Sequence, residues 1–278
     1  MFGKSFFATF AVVALAATAT GCGGGQESYA SIVDKAKNDK KLVIGVKADQ
    51  PGLGLRTPDG AFAGFDIEIA KYVAKELGVE PKDITFKETV SANREAFIEQ
   101  GQVDMVVATY SITDARKQKV SFAGPYFVAG QDLLVRADDS GLTGPETLNG
   151  KKLCSVAGST PAQKVKTEYS KEVQLQEERT YSACVDRVLG GQLDALTTDN
   201  VILAGYAAQH AGKLKVVGKA FSTEKYGIGL KKDDSAGRKA VNAALTKMFA
   251  DGSWKKALEG SVGASGFAVP EAPQLEQY

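Results

Sequence analysis

The chain has few of the residues from which metal and redox sites are usually built. Its 278 residues include three cysteines and one histidine, and no two cysteines have the CxxC spacing of zinc and thiol–disulfide sites. The histidine, His210, ends an alanine-rich helical segment and is most simply a helix-terminal or solvated residue. The sequence therefore predicts no metal site, no cofactor and no histidine-based catalysis.

Neither sign of charge is in excess. The 34 basic and 33 acidic residues leave a formal net charge of +1. This balance argues against a protein that binds nucleic acid or another polyanion. With 44% hydrophobic residues, the chain can bury the core of one large domain or of two smaller ones.

The one long apolar run stands near the N-terminus and is too short to make a good membrane span. It covers residues 6–17, follows Lys4 and is followed by small residues up to Cys22, as in an export signal. The junction resembles a bacterial lipoprotein processing site. We therefore expect a signal peptide over 1–21, a lipid on Cys22 and a polar, glycine-rich tether over 22–38. Ordinary cleavage, with Cys22 a chance residue, is the alternative.

Cys154 and Cys184 are the cysteines that remain once Cys22 carries a lipid. An exported protein meets an oxidising environment, so we expect these two to form a disulfide. Closing a loop of about 30 residues would stabilise the fold by roughly 3 to 4 kcal/mol in the chain-entropy description.

Strand and helix patterns alternate from residue 41 onward. Residues 41–47 and 83–90 read as strands, and between them Asp66 caps a helix with apolar residues at helical spacing. After a further strand over 131–136 the alternation restarts at 151–158. This order predicts an α/β architecture with mostly parallel sheets.

A Gly-Gln-x-Asp sequence occurs twice in equivalent settings. Residues 95–109 and 184–199 each read as a helix, this turn and a strand. Five residues beyond the two aspartates stand Thr109 and Asp199, at the strand ends where open α/β sheets bind ligands. A common turn could recur by chance, but that would not explain polar residues at both strand ends. The repeat predicts two similar lobes with Thr109 and Asp199 facing across one cleft.

Several segments carry a family resemblance, together with the export signal. They are GFDIEIAKYVAKELG (64–78), TYSITDARKQKVSFAGPYF (109–127), AGST (157–160), TTDN (197–200) and KYGIGLKKDD (225–234). In this order they resemble the polar amino-acid-binding solute-binding proteins (family 3) of ABC transporters. The resemblance implies a two-lobed, periplasmic-binding-protein-like α/β fold of type II, with two parallel-rich sheets joined by two hinge strands. Lobe 1 would comprise 39–134 and 224–278, and lobe 2 would comprise 135–223.

Arg116 and Ser111 suit the α-carboxylate of an amino acid. A carboxylate needs a planar bidentate donor and neutral hydrogen bonds, which Arg116, Ser111 and the backbone at Thr109 would supply. The resemblance assigns these positions the same roles. The alternative for Arg116 is a surface salt bridge with Asp114.

Asp199 and Thr160 complete the part of the site that any amino acid would use. Asp199 offers a charged acceptor for the ammonium group, a role that the resemblance also implies. Thr160 reads as the N-cap of a helix with Pro161 in its first turn, and the free N–H groups of such a turn suit an anion.

The choice of ligand depends on Lys47, Ser91 and Arg94. The resemblance places Ser91 and Arg94 where glutamate and aspartate binders reach the side-chain carboxylate, and Lys47 ends the first strand where a basic residue has the same use. With Arg116 and Asp199 the formal site charge would be +2, which favours an acidic ligand, because glutamine would leave a buried cation unpaired. Solvated positions for Lys47 and Arg94 are the alternative.

The sequence thus predicts an extracytoplasmic binding protein, not an enzyme, that captures glutamate and delivers it to an ABC transporter permease with its ATPase. We expect a monomer, lipid-anchored on the outer face of the cell membrane, with a mobile C-terminal tail over 271–278. Three alternatives stay open: a binding protein for glutamine or another polar amino acid, an amino-acid sensor acting through a partner, and an exported dehydratase. A dehydratase would need a spare acid or base in the cleft, and none is evident.

Overall fold

The structure is a computed structural model and describes residues 2–3, 29–169 and 171–278. The predicted signal peptide and Cys22 lie outside the described residues. The strands are β1 Leu42–Val46, β2 Asp49–Gln50, β3 Gly54–Arg56, β4 Phe62–Ala63, β5 Ile84–Glu88, β6 Met105–Val106, β7 Ser121–Ala129, β8 Gln131–Arg136, β9 Lys152–Val156, β10 Gln174–Glu178, β11 Ala195–Asp199, β12 Leu214–Val216 and β13 Glu224–Leu230.

Nine α-helices connect these strands within the described ranges. They are α1 Ile32–Asp39, α2 Phe65–Glu76, α3 Arg94–Glu99, α4 Asp114–Lys117, α5 Thr160–Lys164, α6 Tyr181–Leu189, α7 Asn200–Gln209, α8 Ser235–Ala250 and α9 Ser253–Val262. In the part of the chain that the structure describes, none is long and apolar enough to cross a membrane.

Two five-stranded sheets organise the molecule, which confirms the predicted α/β class. The first has the order β5-β1-β6-β13-β7 and the second β10-β9-β11-β8-β12, while β2, β3 and β4 form a small third sheet. In the first sheet β1 pairs in parallel with β5 and β6, and β13 pairs antiparallel with β6 and β7. The second sheet repeats this, with β9 parallel to its neighbours and β8 antiparallel. Each sheet is therefore mixed.

The chain passes between the sheets twice. It crosses at Gly130, between β7 and β8, and returns between β12 and β13. We call the first sheet with its helices, together with the small third sheet that packs on α2, lobe 1. The second sheet with its helices is lobe 2. Lobe 1 is thus built from two separate pieces of chain, whereas the strands of lobe 2 are continuous in sequence.

The Gly-Gln-x-Asp repeat has the same structure in both lobes. Asp104 Oδ2 accepts from the N–H of Val43 at 2.7 Å, and Asp194 Oδ2 accepts from the N–H of Lys152 at 2.7 Å. The N–H of each aspartate donates to the main-chain oxygen of the same partner. Each aspartate therefore fixes the start of the strand after its helix against the central parallel strand of its sheet.

The start of the fold differs from the predicted tether. Residues 32–39 form α1, whose N-cap is Ser31. The N–H of Ile32 donates to Asp234 Oδ2 at 2.9 Å, and both Ile32 and Ala36 are buried. The predicted tether over 22–38 is therefore wrong for residues 32–38, which pack against lobe 1.

Helix α2 begins two residues earlier than predicted and has a different cap. Gly64 is its N-cap, and Asp66 lies within the first turn. Phe65, Ile69 and Val73 recur at helical spacing and are fully buried, so this face anchors α2 to the core. Asp66 is also fully buried, and its carboxylate serves the functional site instead of the helix end.

The disulfide expected between Cys154 and Cys184 is confirmed. Cys154 lies in β9 and Cys184 in α6, with 5.7 Å between their Cα atoms. Both residues are fully buried. The bond therefore ties α6 to β9 within lobe 2.

The C-terminal tail is packed on lobe 1 and is not the mobile end that its composition suggests. The N–H of Glu276 donates to the main-chain oxygen of Gly124 at 2.9 Å, and its carboxylate pairs with Lys225. The ring of Phe267 lies 6.3 Å from that of Phe127. Because β7 and β13 carry these partners, the tail crosses the strands that lead to lobe 2.

Candidate functional site

A small pocket lies between the lobes where the strands of both sheets end. The space that it encloses is about 10 Å³, roughly the room for one water molecule. Six of its lining residues are ones that the sequence singled out, and three are additional. The six are Ser91, Arg94, Thr109, Ser111, Thr160 and Asp199, and the three are Ser159, Pro161 and Tyr181.

Thr109 is held in an unusual conformation at the end of its strand. Its φ of 43° lies in the left-handed region, which is uncommon for a residue with a side chain and is typical of functional sites. Its N–H donates to Asp66 Oδ2 at 2.8 Å, and the hydroxyl of Tyr126 donates to the other carboxylate oxygen at 2.8 Å. Burial raises the pKa of Asp66 to about 6. Asp66 thus fixes the backbone of Thr109 from behind the pocket.

Arg116 reaches from α4 toward lobe 2. Its Nη1 donates to the main-chain oxygen of Ser111 at 2.8 Å, and its Nη2 donates to that of Gly158 in lobe 2 at 2.9 Å. The ion-pair partner is Glu95, at 3.1 Å from Nε. The alternative pairing with Asp114 is therefore wrong, and the guanidinium faces the cleft.

Arg94 converges on the same carbonyl oxygen as Arg116. Its Nη2 lies 3.4 Å from the oxygen of Gly158, and its other nitrogens donate to main-chain oxygens of Ser91 and Ala108, both at 3.2 Å. Burial, and then the charge of Arg116, lower the pKa of Arg94 to about 10. Two buried cations thus share one neutral acceptor, an arrangement suited to an anion.

Tyr110 supports both guanidinium groups. Its ring centre is 4.3 Å from Cζ of Arg94 and 5.1 Å from Cζ of Arg116. The face of an aromatic ring attracts cations. Tyr110 therefore offsets part of the repulsion between the two arginines without giving either a carboxylate.

Lys47 lies behind Ser91 and does not line the pocket directly. Its Nζ donates to Ser91 Oγ at 2.7 Å. Lys47 is 4% exposed and Arg94 is 2% exposed, so the alternative that both are solvated is wrong. Burial, and then the charge of Arg94, lower the pKa of Lys47 to about 7.

Asp199 faces the arginines from lobe 2. It ends β11 and stands at the N-cap of α7. Its Oδ2 accepts from the hydroxyl of Tyr226 at 2.5 Å, whereas its buried Oδ1 accepts from no atom of the described residues. Burial, and then the charge of Glu224, raise the pKa of Asp199 to about 7. Oδ1 is therefore a buried acceptor in need of a donor.

Glu224 does not line the pocket but contacts it through Thr160, and the sequence analysis missed it. It starts β13, is 5% exposed, and accepts from Thr160 Oγ1 at 3.3 Å and from Lys164 Nζ at 3.5 Å. The signal that could have identified it is its position directly before the segment KYGIGL, where the chain re-enters lobe 1.

The expected site charge of +2 changes when these neighbours are included. With Glu95 and Glu224, three carboxylates face three cations. Lys164 and the buried Asp66 then add one charge of each sign, so the set is formally neutral. The charges are separated in space, since the arginines belong to lobe 1 while Asp199 ends a lobe 2 strand. A ligand that carries one group of each charge would therefore fit this separation.

Thr160 lies one position further into its helix than predicted. Ser159 is the N-cap and Thr160 the first residue of α5. Thr160 Oγ1 lies 3.4 Å from Ser111 Oγ in lobe 1. Its hydroxyl therefore connects the two lobes across the pocket.

A larger groove lies on lobe 1, away from these charges. Its volume is about 800 Å³, and α2 and α9 contribute residues such as Tyr72, Lys75 and Lys256. It is lined by lobe 1 alone, and its charged residues lie at the surface, where Lys71 and Glu68 pair with each other at 2.8 Å. The small pocket between the lobes is therefore the candidate site.

Residues 42–263 match the family described as bacterial extracellular solute-binding proteins, family 3. The Glutamate-binding protein GluB of Corynebacterium glutamicum is 47% identical over 91% of this chain and 88% of that protein. The ABC transporter glutamine-binding protein GlnH of Bacillus subtilis is 39% identical over 91% of this chain and 94% of that protein.

Solved structures include close matches to the fold. An ancestral arginine-binding protein bound to glutamine superposes with a TM-score of 0.76 at 34% identity, covering 81% of this chain and 98% of that one. The similarity thus extends through both lobes and the strands between them.

Proposed function

The chain belongs to the bacterial extracellular solute-binding proteins of family 3, and on that basis we propose that it captures glutamate and delivers it to an ABC transporter. The observation that supports a zwitterionic ligand most strongly is the opposition of charge across the pocket. Arg94 and Arg116 share one carbonyl oxygen on one side, and the unpartnered Oδ1 of Asp199 lies on the other.

In this proposal Arg116 binds the α-carboxylate. Its two outer nitrogens donate to main-chain oxygens of Ser111 and Gly158, and a guanidinium can offer two such nitrogens to one carboxylate. Ser111, Thr160 and the backbone of Thr109 supply neutral donors around it. Asp199 Oδ1 accepts from the ammonium group, which gives this buried oxygen the donor that it lacks.

Arg94, Ser91 and Lys47 bind the side-chain carboxylate in this proposal. Lys47 already contacts Ser91, and the backbone oxygen of Ser91 accepts from Arg94 Nε, so the two cations act on one region. A carboxylate there would also restore the charged form of Lys47, whose pKa is lowered to about 7. A neutral amide would leave these buried cations unpaired, which is costly.

Binding requires the lobes to separate and close again. A pocket of about 10 Å³ cannot admit an amino acid unless the lobes move apart. The two crossings of the chain between the sheets allow a hinge motion of this kind. Closure then buries the ligand between both sets of charges.

The same proposal covers location and partners. We infer a monomeric binding protein, not an enzyme, that is held at the outer face of the cell membrane by a lipid on Cys22. It would release its ligand to a permease with an ATPase. The support is the membership of an extracellular family and the binding names of the relatives.

Glutamine is the second candidate ligand, because one relative is named for binding it. Calorimetric titration of the purified protein with the twenty amino acids discriminates the two. We expect glutamate to bind most tightly and Arg94→Ala to weaken glutamate far more than glutamine. Arg56→Ala is the control, since Arg56 is exposed and stacks on Phe62 outside the pocket. Equal affinity of the unmodified protein for glutamate and glutamine would refute the acidic ligand.

A further inference from the structure

The lobes also meet at a second place, outside the pocket. Asp49, in β2 of lobe 1, accepts from the N–H groups of Tyr181 and Ser182 at 2.8 and 3.2 Å. These are the first two residues of α6 in lobe 2. The hydroxyl of Tyr206, in α7, donates to the main-chain oxygen of Asp49. Strand β2 therefore touches two helices of the opposite lobe.

The contact of Asp49 completes the end of α6. The first N–H groups of a helix have no partners within it, and they carry partial positive charge that favours a carboxylate. Within lobe 2, the side chain of Thr180 accepts from the N–H of Ala183. The N–H groups of Tyr181 and Ser182 are satisfied from lobe 1 instead.

Gly205 allows the turn after β2 to approach α7 closely. It lies inside the helix, where glycine is unfavourable compared with alanine. A Cβ atom at Gly205 would lie 2.4 Å from the main-chain oxygen of Pro51, far inside van der Waals contact. Pro51 begins the turn after β2, and Gly52 has the positive φ of 77° that such a turn uses. The lack of a side chain at Gly205 therefore favours the contact with lobe 1 and not the stability of its own helix.

We propose that Asp49 and Gly205 form a latch between the lobes that determines how long the ligand is held. Neither residue lines the pocket. Their contacts exist only while the lobes are together, so they stabilise that arrangement alone and shift the balance toward it. The inference rests on the proposed function, in which closure retains the ligand.

The same residues and helices position the latch and the pocket. Tyr181 lines the pocket while its N–H donates to Asp49. Helix α7, which carries Gly205, begins directly after Asp199. A change that keeps α7 away from Pro51 therefore also moves the acceptor proposed for the ammonium group.

The test compares Gly205→Ala with Gly260→Ala. Gly260 lies in α9, is exposed and has no atom within 4 Å of a Cβ built on it, so it reports the helix effect alone. Gly260→Ala should raise the melting temperature of the protein without ligand by about 1 to 3 °C. Gly205→Ala should raise it less, because the clash with Pro51 also removes the contact between the lobes. Gly205→Ala alone should weaken glutamate binding by about ten- to a hundredfold, mainly through faster release.

A second experiment uses Asp49→Asn and measures amide hydrogen exchange. Glutamate should slow exchange at Tyr181 and Ser182 in the unmodified protein and much less in Asp49→Asn, with glutamate release faster in the variant. Gly205→Ala should speed exchange at both amides without ligand, relative to Gly260→Ala.

Two outcomes separate the latch from the proposed function. If the unmodified protein binds neither glutamate nor glutamine, the proposed function fails, and exchange at the two amides without ligand still decides the latch. If glutamate binds and Gly205→Ala matches Gly260→Ala in affinity, release rate and exchange, the latch is refuted while the function stands.

Discussion

Replacing Asp199 with asparagine should stabilise the protein without ligand and at the same time abolish amino-acid capture. The carboxyl is buried, and its pKa is raised from 3.8 to about 7. Its ionised form is therefore disfavoured in the folded state. Asparagine removes the charge, keeps the shape and retains an oxygen for the hydroxyl of Tyr226.

The size and sign of the effect follow from proton linkage. Between pH 4 and pH 7 the folded state binds a proton at Asp199 that the unfolded state does not, so stability falls as pH rises through this window. A shift of about three units corresponds to about 4 kcal/mol as an upper figure. We expect the variant to exceed the unmodified protein by about 2 to 4 kcal/mol above pH 7 and by nearly nothing below pH 4.

Denaturant unfolding at pH 4 and pH 8, without ligand, measures this difference. Asp59→Asn is the control, because Asp59 is exposed in the turn between β3 and β4. Glutamate affinity should fall by about 2 to 5 kcal/mol in Asp199→Asn, since a charged partner is lost from a buried pair. A variant that is less stable at pH 8, or that binds glutamate as tightly as before, would refute the reasoning.

Three further predictions concern pH, the disulfide and the anchor. Glutamate affinity should peak near pH 7 and fall on both sides, because Asp199 must be ionised and Lys47 charged, each with a pKa of about 7. In titrations from pH 5 to 9, Lys47→Gln should lose only the fall in affinity above pH 7. Replacing Cys154 and Cys184 with serine should lower the free energy of unfolding by about 3 to 4 kcal/mol, and an unchanged denaturation midpoint would contradict this. Cys22→Ala should release the protein from the membrane fraction or leave its precursor unprocessed; a processed form that stays membrane-bound would count against lipidation.

The sequence predicted the architecture well because periodicity and repeats report local structure. The strand over 131–136 has the predicted bounds, and the two Gly-Gln-x-Asp units do adopt one structure. The strand expected at the end of the unit 95–109 is shorter than its apolar run, since β6 is Met105–Val106. Beyond β6 the chain turns at Thr109, whose backbone is in the left-handed region and whose N–H is held by the distant Asp66.

The site was predictable where residue type alone limits the chemistry. Six predicted residues line one pocket, because cations and hydroxyls at strand ends have few other uses. Glu224 and the partner of Arg116 were missed, since they depend on contacts between segments far apart in sequence. The packed tail was missed for the same reason, because its partners Gly124 and Lys225 lie elsewhere in the chain.

The division of lobe 1 into two pieces has a consequence for the order of folding. Strand β13 lies between β6 and β7, and its first residue, Glu224, pairs with Ala129. The first sheet therefore has a gap until the segment after lobe 2 is available. The second sheet, whose strands run from Gln131 to Val216, needs nothing that follows. A lobe 2 that has already folded replaces a long flexible loop with a short rigid connection, so it lowers the entropy lost when β13 joins β7.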